Sequence, residues 1–175
     1  MKKPFVLIIF FLTTTILAQE NWNQLIDGKL NSVIARHRTF VSIPNLPSDI
    51  QKMYENVSWV KQQYSKVGFK LKTLESSTLP VLFAERIVNP TFKTILFYFH
   101  LDGQGVNPKS WNQEDPFTPV LKEQNEKGDW NEISWANIDE KINDDWRIFG
   151  RAAADDKAPI LMFLSALEIL QSSKQ

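Results

Sequence analysis

The chain contains no cysteine. It can therefore form no disulfide, no thiolate metal site and no lipid-modified cysteine. It has only two histidines among 175 residues, so imidazole chemistry rests on His37 and His100. There is no excess of either charge, since 20 basic residues face 20 acidic ones. That balance, with no basic run, gives no sign of a nucleic-acid partner or a polybasic membrane patch. Internal repeats and low-complexity tracts are also lacking. The one long apolar stretch, Phe5 to Leu17, falls short of the ~20 residues a membrane-spanning helix requires.

That stretch follows Lys2 and Lys3 and precedes the small residue Ala18, the three-part pattern of a secretory signal peptide. The expectation is export, with residues 1–18 removed and 19–175 forming one truncated domain in the periplasm or outside the cell, not held at a membrane after cleavage. Removal leaves about 157 residues and a net charge of about −2, enough chain for one core. An exported protein without cysteine must be stable without disulfides. Six Trp and twelve Phe supply the apolar payload of a globular chain.

Residues 22–38 are weakly helical in pattern, and Ile43 to Asp49 is a proline-punctuated connection. Ser48 and Gln51 suggest a capping box. Behind it Ile50, Met53, Tyr54, Val57, Val60, Tyr64 and Val67 recur at helical spacing up to Gly68, a C-terminal cap. Phe69 to Thr73 alternates as a half-buried strand, and Val81 to Val88 reads as a second. Ile95 to Phe99 is apolar throughout, predicting a central strand covered on both faces. Leu101 to Trp146 reads mostly as loop, long enough to be functional or to hide short elements. Ala158 to Leu170 predicts a helix apolar nearly all round, one that belongs between a sheet and further elements. The predicted class is α/β, a partial mixed sheet sandwiched by helices.

Two segments carry chemistry. In TILFYFHLDGQ, His100 leaves the apolar run and Asp102 follows two residues later, on the same side of an extended chain. A carboxylate there can orient a metal-bound imidazole. In FGRAAADDKAP, Asp155 and Asp156 precede a helix whose Pro159 suits its first turn. A carboxylate so placed can bridge two metals. Imidazole and carboxylate without thiolate favour zinc, with manganese or cobalt as alternatives. Each feature also has a plainer reading: His-x-Asp alone is a weak motif, Asp155 and Asp156 can serve only as N-terminal helix charges, and His37 beside Arg36 and Arg38 reads as a solvated surface residue.

Taken together, the helix ending at Gly68, His100-Leu101-Asp102, Trp111 with Asp115-Pro116-Phe117, and Gly150-Arg151 ahead of Asp155-Asp156-Lys157 resemble the zinc exopeptidase family of acetylornithine deacetylase, succinyl-diaminopimelate desuccinylase, aminoacylase and carnosine dipeptidase. The resemblance covers most of the mature chain and implies the N-terminal part of such a catalytic domain. It implies His100 as ligand of one metal, Asp155 as bridge between two zinc ions, Asp102 as the catalytic residue orienting His100, and a cis peptide between Asp155 and Asp156. The implied substrates are peptides or N-acyl amino acids, and a homodimer of the complete protein is compatible with it. Ala152 and Ala158 stand where the family usually has glycine, which implies backbone angles there that are not left-handed. The family's general-base glutamate and remaining ligands lie beyond the equivalent of Gln175, so this chain alone is expected to be inactive. The alternative is a non-catalytic remnant or secreted binding module that keeps the half-fold.

Overall fold

The computed structural model describes residues 3–173, with side chains described from Trp22 onward. The expected signal peptide, residues 1–18, lies outside the residues whose side chains are described. Among the described residues, no helix is long and apolar enough to cross a membrane.

Helix α1 is Lys3–Val41, and α2 is Ile50–Ser65. The N-cap of α2 is Asp49, whose carboxylate accepts from the Lys52 backbone N–H, so the cap lies one residue past the predicted Ser48. A carboxylate at that position satisfies a free helix N–H and complements the helix dipole. Met53, Val57, Val60 and Tyr64 bury the predicted stripe, whereas Ile50 and Tyr54 at its edge are exposed. Gly68, at φ +86, turns the chain out of the helix, where a Cβ would be strained.

Strands β1 (Lys70–Leu74) and β2 (Val81–Glu85) pair as an antiparallel hairpin, Lys70 opposite Glu85. Leu71 and Thr73 face inward, as their alternation predicts, and β2 stops three residues before Val88. The region expected to be mostly loop holds a second antiparallel sheet, of order β4-β3-β5: β3 is Val120–Gln124, β4 Trp130–Ile133 and β5 Arg147–Phe149. A four-residue helix, α3 (Asn137–Glu140), lies between β4 and β5. These strands are three to five residues long and carry charges, so periodicity could not separate them from loop. The usable signal was Lys127-Gly128-Asp129, where Gly128 takes φ +88 in the β3–β4 turn.

Helix α4, Ala158–Ser172, closes the described fold. The core lies between the end of α1, α2 and α4, around Phe40, Val60, Tyr64, Val67, Ile160, Leu161 and Leu164. Phe40 stacks on Trp59 with ring centroids 4.0 Å apart, and the Tyr64 hydroxyl donates to the Ile160 carbonyl. Arg36 of α1 grips Glu168 of α4 with a two-pronged ion pair at 2.7 and 2.8 Å. Such forks add geometric specificity as well as attraction.

The predicted central strand differs from expectation. Ile95–Phe99 is not part of either sheet. Its alternation survives in part: Phe97 and Phe99 pack on Phe163 of α4, with centroids 4.4 and 5.7 Å away. The opposite face is bare, with Leu96 88% exposed. An apolar run becomes a two-sided strand only when neighbours supply both the ladder and the second layer; among the described residues only the face carrying Phe97 and Phe99 is packed. Met162 of α4 is exposed for the same reason.

Candidate metal centre

The site forms where the segment leaving Phe99 meets the turn that opens α4. Residues Ala153–Lys157 form a wide turn interrupted at Asp155 and Asp156, whose backbone angles are not helical. These aspartates are therefore more than first-turn helix charges, because α4 proper starts at Ala158 with Pro159 in its first positions. The peptide between Asp155 and Asp156 is cis, as the resemblance implies.

This backbone course splits the two carboxylates. Asp156 Oδ2 accepts the backbone N–H of His100 at 3.0 Å. Asp155 Oδ1 lies 2.9 Å from His100 Nε2, with the Asp155 side chain 87% exposed. His100 Nδ1 faces the carbonyl oxygen of Asp102 at 2.8 Å. A carbonyl can only accept, so Nδ1 carries the hydrogen. The neutral ring then presents a lone pair at Nε2 to a carboxylate that also has only lone pairs. Their close approach calls for a positive charge between them, a second ring proton or a metal ion. The pKa of His100 is raised: burial opposes this, but the Asp102 carbonyl, the Asp155 contact and the negative charges of Asp156 and Asp155 outweigh it.

The structure thus brings His100, Asp102 and Asp155 together, across 55 residues between the first and the last. Asp102 bonds through its main chain, while its carboxylate Oδ1 stays 3.7 Å from His100 Nδ1. The donor set, one imidazole nitrogen and one carboxylate oxygen with the other ring N–H anchored on a carbonyl, fits zinc, manganese or cobalt chemically. It supplies two donors, and among the described residues no group of three or more His, Cys, Asp or Glu could hold a metal ion. Structural and catalytic zinc sites use three or four protein ligands.

Two sequence expectations need correction. Ala152 does adopt the left-handed region, φ 61 and ψ 13, where an alanine in place of the family's glycine led to the expectation that it would not. The surrounding structure imposes this: Arg151 N–H donates to the Pro116 carbonyl on one side, and Lys157 N–H to the Ala152 carbonyl on the other. A left-handed non-glycine residue costs roughly 1–2 kcal/mol. Ala158, by contrast, is ordinary right-handed helix. His37 is not a solvated surface residue; its Nε2 bonds the Ala153 carbonyl at 2.8 Å and its pKa is lowered, chiefly by burial, with the Lys157 charge adding to it.

Sequence reasoning also missed the groups that hold the site in place. Lys157 is fully buried, its ammonium donating to the carbonyls of Phe40 and Ile43, and desolvation lowers its pKa to about 7. Asn45, also fully buried, donates to the Leu101 carbonyl. Neither position shows a pattern in the sequence, because the partners are backbone carbonyls more than fifty residues away. Gly150 is pressed against Val41 and Pro119, so that a Cβ there would sit 2.8 Å from Val41 Cγ1. Pro116, of the Asp115-Pro116-Phe117 segment, is buried beneath this turn.

No family model matches the chain. In sequence it is similar to the Cys-Gly metallodipeptidase dug1 of Schizosaccharomyces pombe, 27% identical over 158 residues that cover 83% of this chain and 29% of that protein. In structure it resembles the di-peptidase Dug1p of Saccharomyces cerevisiae, with TM-score 0.66 and 24% identity over 89% of this chain and 32% of the other. Human carnosine dipeptidase 1 gives the same TM-score at 18% identity, over 91% of this chain and 32% of that one. The chain spans about a third of the length of these relatives. The α/β fold is that of such dipeptidases, and the relative matched in sequence is a metallodipeptidase. The resemblance to the zinc exopeptidases, as an N-terminal part only, holds.

Proposed function

We propose that this chain is the N-terminal part of an exported dinuclear-zinc metallopeptidase or amidohydrolase that cleaves peptide or N-acyl amide bonds. The observation that carries the reading is the 2.9 Å approach of His100 Nε2 to Asp155 Oδ1, with Nδ1 already committed as a donor to Asp102. A cation between those two atoms resolves an otherwise repulsive pair of lone pairs.

In this reading His100 and Asp155 are the residues of this chain that would hold the metal ions. When bound, the metals lower the pKa of a water and polarise the amide carbonyl. The carbonyl of Asp102 keeps the proton on Nδ1 and so keeps Nε2 free to bind. Asp156 takes the His100 N–H and fixes where the ring leaves the backbone. The exposed carboxylate of Asp155 lies on the open side, where an amide can approach. With two donors and no general-base acid beside them among the described residues, the 175-residue chain alone is expected to leave peptides uncleaved. Export rests on Lys2, Lys3 and the apolar run to Leu17. The names of the relatives make dipeptides the first substrates to try, followed by N-acyl amino acids.

The test is zinc titration of the chain, wild type against His100→Ala and Asp155→Asn, followed by hydrolysis assays on the protein encoded by the longest continuous reading frame. Both substitutions should lower bound zinc and abolish hydrolysis. Unchanged zinc stoichiometry in His100→Ala would refute the role given to that residue.

A further inference from the structure

We infer that Asn45 is a positioning residue of this site, the group that holds the His100–Asp102 loop so that His100 presents Nε2 to the metal; the inference rests on reading His100 as a ligand. Asn45 follows the end of α1 and is fully buried. Its side-chain Nδ2 donates to the Leu101 carbonyl at 2.8 Å, and its own carbonyl accepts the Gly103 N–H at 2.7 Å. These two bonds bracket Asp102, whose carbonyl receives the His100 Nδ1 hydrogen. The side-chain Oδ1 of Asn45 has no hydrogen-bond partner and lies 2.8 Å from where a Cβ on Gly103 would stand. An apolar residue of similar shape would avoid burying that unpaired oxygen, but could not donate to Leu101.

The same short stretch grips the other half of the site. The carbonyls of Phe40 and Ile43 receive the Lys157 ammonium, two residues after Asp155. Residues 40–45 therefore hold both the histidine loop and the aspartate turn. Asn45 fastens the histidine side of that ruler, so releasing it loosens the Asp102 carbonyl and lets the ring proton move to Nε2. A ring protonated there cannot ligate.

The experiment uses the full chain, labelled with 15N, and reads which ring nitrogen of His100 carries the hydrogen at about pH 9, above the usual histidine range. The chain's other histidine, His37, is told apart with His100→Ala. Wild type should show hydrogen on Nδ1, and Asn45→Ala should show a mixture of tautomers and a roughly 10- to 100-fold loss of zinc affinity. Val57→Ala, a buried change in α2 that removes no hydrogen-bonding group, should lower stability without moving either readout. Gly103→Ala, which drives a methyl into Asn45 Oδ1, should reproduce the tautomer shift with Asn45 intact, and decides the matter if Asn45→Ala does not fold. An unshifted tautomer and wild-type zinc affinity in the folded variant would overturn the inference. Should wild type bind no zinc while the tautomer still responds, the metal reading fails and the positioning role stands.

Discussion

Replacing Phe40 by alanine tests whether the end of α1 is the joint between the core and the site. The ring is fully buried, lies parallel to Trp59 at 4.0 Å, and has the Lys157 ammonium 4.8 Å from its centroid. Truncating a buried phenylalanine costs about 3–5 kcal/mol in transfer and cavity terms. Loss of the aromatic pair adds about 0.5–1.5 kcal/mol, and loss of the buried cation–π contact with Lys157 about 0.5–2 kcal/mol more. The expected total is about 4–8 kcal/mol, a large share of the roughly 5–15 kcal/mol that holds a domain folded. Urea unfolding followed by Trp fluorescence measures it. With a slope of about 1–3 kcal/mol per molar, the midpoint should fall by at least about 1.3 M. Phe40→Leu, which keeps most of the volume, should cost less than half as much. A loss below about 1.5 kcal/mol for Phe40→Ala would refute the view that this residue roots the core.

Gly150→Ala should destabilise by about 1–3 kcal/mol, because its Cβ would stand 2.8 Å from Val41 Cγ1 and 3.4 Å from the Pro119 backbone; an unchanged midpoint would show that the turn carrying Asp155 is not wedged there. The pKa of His37 is lowered in the fold, so around and below the ordinary histidine value of 6.5 the unfolded chain binds more protons than the folded one. The sign follows: stability contributed by neutral His37 is present above that value and is lost as pH falls through and below it. Unfolding midpoints across this range should therefore fall more steeply with acidification in wild type than in His37→Gln, and parallel curves would contradict the buried setting of the ring.

The helix stripe from Met53 to Tyr64 and the turn at Gly68 were readable because local rules dictate them: apolar residues at helical spacing bury one face, and a positive φ calls for glycine. His100, Asp102 and Asp155 stood out as candidates because imidazole beside an apolar run and paired carboxylates before a helix are uncommon combinations. The second sheet escaped notice since strands of three to five residues with Lys122 and Glu123 inside them leave no stable period. Ala152 shows the opposite failure. Its identity argues against a left-handed turn, and bonds from Pro116 and Lys157 impose one.

Residue order alone determined which groups could act as metal donors and which stretches would seek a core, because both follow from side-chain chemistry and short-range spacing. Tertiary structure decided that Nε2 of His100 lies 2.9 Å from Asp155, that Asp102 serves through its carbonyl, and that Asn45 and Lys157 hold the two halves. The Asn45 and Lys157 contacts link residues 56 or more positions apart through backbone carbonyls, which every residue carries and no sequence pattern marks.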